Sequence, residues 1–262
     1  MKIRGVLFDL DETLIEEQAS NDAAAMIACA IAAERVGIDR DALLRAMRER
    51  SLELWLGGPM IDYCRNIGIS PGEGLWGSFS SADPGAARLG QWIPEYRMLT
   101  WLGALQRVGI DDRSLAAELA ATFITERRAR HLVFPEILPM LLDLRRNYRL
   151  ALITNGATDL QREKIDGAGL GAFFPATLIS GTLGIGKPRP EIFLAALSQL
   201  GLAAAEAVMI GDSLSRDIGG AGALGIRTIW INRLRRPRDQ RYRSPDFELT
   251  DLRGLPAIIP PS

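Results

Sequence analysis

The chain has one histidine, two cysteines and only three lysines in 262 residues. A lone imidazole, His131, leaves no material for a histidine-based triad or a multi-histidine metal site. Its place at the return from the helical stretch described below suits a hinge or structural role. Cys29 and Cys64 offer neither a disulfide framework nor a zinc spacing; both sit on helical patterns and read as small buried residues. No apolar run approaches the length that spans a bilayer. The formal net charge is −1, so no overall field draws in nucleic acid or a membrane surface. The basic first residues are interrupted by Asp9 and Asp11 where a signal peptide would stay apolar. The expectation is a cytoplasmic protein with no nucleic-acid or membrane partner. Its chemistry must rest on carboxylates, hydroxyls, arginine or the scarce lysine, and that scarcity makes Lys187 conspicuous.

What is present starts with residues 4–14, RGVLFDLDETL. Val6, Leu7 and Phe8 form a short apolar run that reads as a buried strand over 5–10. It stops at Asp9 and Asp11, with Thr13 two residues on. In extended chain that spacing turns both acids to one side. At an effective dielectric of ~20, charges about 4 Å apart repel by roughly 4 kcal/mol. A cation or a proton would relieve them. A metal or phosphoryl site is one reading; a solvated strand end with a capping Asp is the other.

The following hundred residues are helical in pattern. Segments 20–36 (with Ser20 or Asn21 as N-cap), 39–55 and 59–66 precede a turn-rich stretch, 68–90, and helices resume at 91–108 and 112–130. From Pro135 the rhythm alternates: helix 135–147, strand 149–153, helix 158–168, strand 176–180, helix 189–200, strand 207–210, helix 214–224, strand 227–231. Such alternation predicts an α/β fold, a Rossmann-like parallel sheet with helices on both faces. The first strand belongs with that half. The expected domains are therefore an α/β core, 1–15 and 131–262, and an all-helical insertion, 16–130. The chain is long enough to bury such a core.

Sites in open α/β sheets lie at the carboxyl ends of strands. Those ends carry Asp9 and Asp11; Thr154, Asn155 and Gly156; Gly181 to Lys187; and Gly211, Asp212 and Ser213, with Asp217 beyond. Carboxylates gather hard cations such as Mg²⁺. Hydroxyl, backbone N–H and ammonium groups bind phosphate oxygens. Together they suggest phosphoryl transfer through an aspartyl-phosphate.

Asp9-x-Asp11-x-Thr13, Thr154-Asn155-Gly156, Gly186-Lys187-Pro188 and Gly211-Asp212-x-x-x-x-Asp217 resemble, in order, the four motifs of the haloacid dehalogenase-like superfamily. The helical insertion resembles the C1 cap of its subfamily IA. The stretches TNG…QREKI (154–165) and KPRPEIF (187–193) look most like the N-acylneuraminate-9-phosphatase-like branch. The resemblance implies that Asp9 is the nucleophile and a Mg²⁺ ligand. It implies that Asp11 is the general acid/base, its backbone carbonyl joining the metal shell. Thr154 and the backbone near Asn155 would bind the phosphoryl group, and Lys187 would neutralise charge on Asp9 and phosphate. Asp212 would hold Mg²⁺, supported by Asp217. The family's dehalogenases lack the second motif aspartate, so Asp11 favours a phosphatase of a small phosphate ester, acting as monomer or homodimer. A phosphomutase on the same site, or a regulatory protein without turnover, are the alternatives. The cap would select the substrate.

Other patterns carry less. Gly181–Lys187 fits a Walker A loop until Pro188, which lacks both the hydroxyl and the N–H that loop requires. Gly220-Ala-Gly222-Ala-Leu-Gly225 follows a helix and not a strand, the wrong context for a dinucleotide turn. Residues 233–243 hold six arginines, expected to form a solvated loop. Trp55, Trp76, Trp92 and Trp101 all fall in the insertion, where most should pack its core.

Overall fold

A computed structural model describes residues 2–259. In chain order the elements are β1 (Gly5–Phe8), α1 (Glu17–Val36), α2 (Arg40–Leu56), α3 (Ile61–Ile67), α4 (Pro71–Gly74), α5 (Pro84–Arg107) and α6 (Arg113–Arg128). There follow α7 (Ile137–Leu144), β2 (Arg149–Thr154), α8 (Thr158–Gly167), β3 (Ala176–Ile179), α9 (Ser180–Leu183), α10 (Pro190–Leu200) and β4 (Ala207–Gly211). A wide turn of π-helix, Leu214–Ile218, then leads to α11 (Gly219–Ala223), β5 (Arg227–Ile231), β6 (Phe247–Leu249) and α12 (Leu255–Ile258).

The chain divides into two compact units. One comprises the chain up to Glu16, Leu132–Asn155 and everything from Gln161 onward; the other comprises Glu17–His131 and Gly156–Leu160. Among the described residues no helix is long and apolar enough to cross a membrane.

The first unit is built on a parallel sheet in the order β3-β2-β1-β4-β5-β6. The fold is α/β and Rossmann-like. β1 is buried along its whole length, which explains an unbroken apolar run rather than alternation. Its side chains still divide between the faces. Val6 and Phe8 enter a core with Ile137, Leu141 and Ile165, whereas Leu7 enters a second core with Ile192, Phe193 and Ala196. Helices thus cover both faces. Because β1 pairs with both β2 and β4, the order reverses beside it, and the crevice for a ligand opens at its carboxyl end.

The second unit is helical. Its core gathers Leu43, Trp55, Trp76, Tyr96, Trp101 and Phe123 among others, so three of the four tryptophans are core residues and Trp92 packs partly buried against them. Cys29 and Cys64 are buried here, and burial pushes each thiol up to about 12. A buried charge also sits here. Arg127 donates to Asn21 Oδ1 (2.8 Å) and to the Arg130 carbonyl (2.6 Å), pairs with Glu17, and lies 4.4 Å from the Trp76 ring centroid.

Several expected boundaries differ. α1 begins at Glu17, leaving Ser20 buried inside the helix, because the tertiary pair with Arg127 anchors its first turn. α5 begins at Pro84 within the turn-rich stretch. There Asp83 caps the Ala86 N–H (2.8 Å) and proline fits the first helical turn. β1 ends at Phe8 rather than at residue 10. β6, three residues at the sheet edge, is too short to show a period.

Candidate active site

Each strand of the central group delivers one part of the site. At the end of β1 the Asp9 N–H donates to the Ile210 carbonyl (2.9 Å), tying this position to β4. Its carboxylate accepts from Thr13 Oγ1 (3.0 Å) at Oδ2 and from Lys187 Nζ (2.5 Å) at Oδ1. The same ammonium stands 2.7 Å from Asp217 Oδ1, and Asp217 Oδ2 accepts from the Ser213 N–H (3.0 Å). Oxygens of Asp9, Asp212 and Asp217 all lie within 4.8 Å of one another.

Asp9, Asp212 and the lysine they surround are strongly perturbed. Burial pushes Asp9 up to about 7; Lys187 opposes the rise, while Asp217 and Asp11 add to it. Asp212 is raised to about 8 by burial and then by Asp9 and Asp217. Burial alone would lower the Lys187 ammonium, but Asp217 and Asp9 outweigh it and hold it above its ordinary range. Crowded oxygen donors that resist ionisation suit a hard divalent cation, which would relieve the same repulsion. The donor set fits Mg²⁺.

Lysine 187 is brought in by close backbone approach. Asn155 grips its peptide at both ends: Nδ2 donates to the Lys187 carbonyl (2.9 Å) and Oδ1 accepts from its N–H (2.8 Å). A Cβ on Gly186 would sit 2.7 Å from Asn155 Oδ1, and one on Gly211 only 2.4 Å from Asp217 Cγ. Both glycines are therefore needed for packing. The Asn155 side chain thus holds Lys187, and what it leaves for an anion is backbone. Thr154 is buried at the end of β2, its hydroxyl accepting from Gln161 Nε2 (3.0 Å).

Asp11 is near enough to raise Asp9 but is not one of the three clustered acids. β1 has already ended, and residues 9–16 form a loop closed by the Glu12 N–H on the Ile15 carbonyl (2.9 Å). The Asp11 carboxylate turns instead to α8. Lys164 Nζ donates to Oδ1 (2.9 Å) and Gln161 Nε2 to Oδ2 (3.1 Å). Sequence reasoning gave these two residues no role. Their i,i+3 spacing, which puts them on one helical face, is the signal that was available.

The Arg-rich segment is mostly exposed, with one exception. Arg233 is largely buried: it pairs with Glu136 (2.8 Å) and lies 3.3 Å from the centroid of the Phe134 ring. The solvated-loop expectation fails at that residue.

Comparison with known proteins gives consistent results. A family model described as haloacid dehalogenase-like hydrolase matches residues 3–225. A phosphoserine phosphatase of Thermus thermophilus is 37% identical over 251 residues, covering 95% of this chain and 96% of that protein. An N-acylneuraminate-9-phosphatase of Mus musculus is 27% identical, covering 98% and 94%. Among solved structures, the putative HAD-hydrolase YfnB of Bacillus subtilis, bound to magnesium, superposes with a TM-score of 0.69 at 21% identity over 99% of this chain and 100% of that one.

Proposed function

The chain belongs to the haloacid dehalogenase-like hydrolases, and on that premise we propose that it is a Mg²⁺-dependent phosphatase of a small phosphomonoester, working through an aspartyl-phosphate on Asp9. One observation carries this reading. Two carboxylates two residues apart have different surroundings, Asp9 locked to Lys187 among acids and Asp11 held separately by Lys164 and Gln161. Two carboxylic acids kept in distinct environments are what a nucleophile and a separate acid/base require. A dehalogenase would have no leaving-group proton for Asp11 to supply.

In the first half-reaction an Asp9 oxygen bonds to phosphorus as the ester P–O bond breaks, and Asp11 gives its proton to the departing alkoxide. In the second, Asp11 takes a proton from water. The oxygen of that water attacks phosphorus, releasing phosphate and restoring the Asp9 carboxylate. Lys187 offsets charge on Asp9 and the phosphoryl oxygens, with Asp217 orienting it. The Thr154 hydroxyl and the backbone N–H groups near Asn155 donate to those oxygens. Mg²⁺, held by Asp9, Asp212 and the Asp11 carbonyl, would supply further charge neutralisation when bound. In this reading 1–15 and 131–262 are the catalytic core, and 16–130 the cap that selects the substrate.

The test is phosphate release from a panel of monoesters, beginning with phosphoserine and N-acylneuraminate 9-phosphate, with Mg²⁺ and with EDTA. Hydrolysis that needs both metal and Asp9 is the expected result. A phosphorylated isomer without free phosphate would establish a mutase instead. Mg²⁺ binding by folded protein with no turnover on any ester would sink the enzymatic reading.

A further inference from the structure

We propose that Arg233 is a positioning residue for the proposed nucleophile, acting through the backbone of the acid-bearing loop; the inference deepens the phosphatase reading above. Arg233 Nη2 donates to the Thr13 carbonyl (2.9 Å) and Nε to the Glu12 carbonyl (3.3 Å). Thr13 is the residue whose hydroxyl donates to Asp9 Oδ2. One guanidinium thus fixes the peptide of the side chain that orients Asp9. A fork of parallel N–H groups suits this task, because it fixes two neighbouring acceptors at once; an ammonium does not.

The loop needs such a hold. Glu12 has a φ of 59°, the left-handed region that an L side chain rarely adopts outside turns. Residues in such conformations persist where surrounding contacts over-determine them. Arg233 supplies two of those contacts and is itself immobilised. Glu136 pairs with its third nitrogen, and the Phe134 ring lies under its plane. The turn that presents it is closed by Asn232, whose Oδ1 accepts from the Arg236 N–H (2.8 Å) and whose Nδ2 donates to the Arg236 carbonyl (2.8 Å) and to Glu248 (2.7 Å). The guanidinium therefore arrives at the loop from a rigid strand end, on a route independent of Lys187.

The test compares Arg233→Lys and Arg233→Ala with wild type by two readouts. Hydrogen exchange of residues 10–16 needs no substrate and should speed up at least tenfold in both variants, with β1 and β4 unchanged. Turnover of the best phosphomonoester should fall about 10- to 100-fold in kcat, with KM within threefold, since a misplaced nucleophile costs rate rather than binding. Sub-denaturing guanidinium should restore part of the Arg233→Ala rate, whereas ammonium should not. Adding Glu12→Gly should also recover rate, because glycine adopts that φ freely. Unchanged exchange and kcat in a folded variant would overturn the proposal. So would a rate loss that only tracks loss of folded protein and resists guanidinium. A wild-type protein with no phosphatase activity would fail the functional reading alone, while the exchange result would still decide the role of Arg233.

Discussion

The two units both bury charge, but in different balance. In the helical unit Arg127 is matched donor by donor: Asn21, the Arg130 carbonyl and Glu17 take its nitrogens, and Trp76 covers its face. In the sheet unit three clustered acids meet one ammonium, and two of those acids are pushed to about 7 and 8. A balanced buried pair holds one structure together. An unbalanced cluster carries a standing need for a cation or a proton, which is what a site for metal and phosphate requires.

The sharpest way to break that comparison is Asp9→Asn. Turnover should fall by roughly 10⁴-fold or more, as for loss of a covalent nucleophile. Thermal unfolding without metal should stay level or rise, because one repelling acid is gone. Next, Asp11→Asn should lower kcat about 10²- to 10⁴-fold, measured by phosphate release with Mg²⁺ saturating. In the balanced unit, Arg127→Met should remove the Arg127–Glu17 pair and cost about 3–5 kcal/mol in denaturant unfolding. Its Mg²⁺ affinity by calorimetry should be unchanged, since Arg127 and the clustered acids belong to different compact units.

The smallest effect is in pH. Asp9 and Asp212 bind protons more tightly folded than unfolded, so their contribution to stability is complete at acidic pH and is lost as pH rises through about 7 and 8. The metal-free melting temperature should therefore drop between pH 6 and about 8.5. Mg²⁺, which binds ionised carboxylates, should raise it more at the alkaline end. A flat metal-free profile would mean that the acids are not crowded.

Much of this was legible in the chain. Alternating strands and helices determine the sheet, and acids and a rare lysine after apolar runs mark the strand ends. Those signals are local. What escaped depends on long-range placement. Gln161 and Lys164 serve Asp11 only because α8 passes beside the loop after β1. Arg233 is indistinguishable by composition from its exposed neighbours, and only the turn closed by Asn232 singles it out. Ser20 and Asn21 had the chemistry of a cap, but Arg127, which pairs with Glu17, lies more than a hundred residues away in sequence.

The position of β1 in the sheet has a consequence for biosynthesis. Gly5 pairs with Arg149 on one side and Ala207 on the other. Chains lengthen at roughly 5–20 residues per second, so β1 waits on the order of ten seconds or more for its second neighbour. Lys187 leaves the ribosome 178 residues after Asp9, and Asp212 and Asp217 follow later still. The nascent protein therefore carries an apolar strand with no sheet neighbour until β2 has been made. The clustered acids can meet only after both neighbours of β1 have been made.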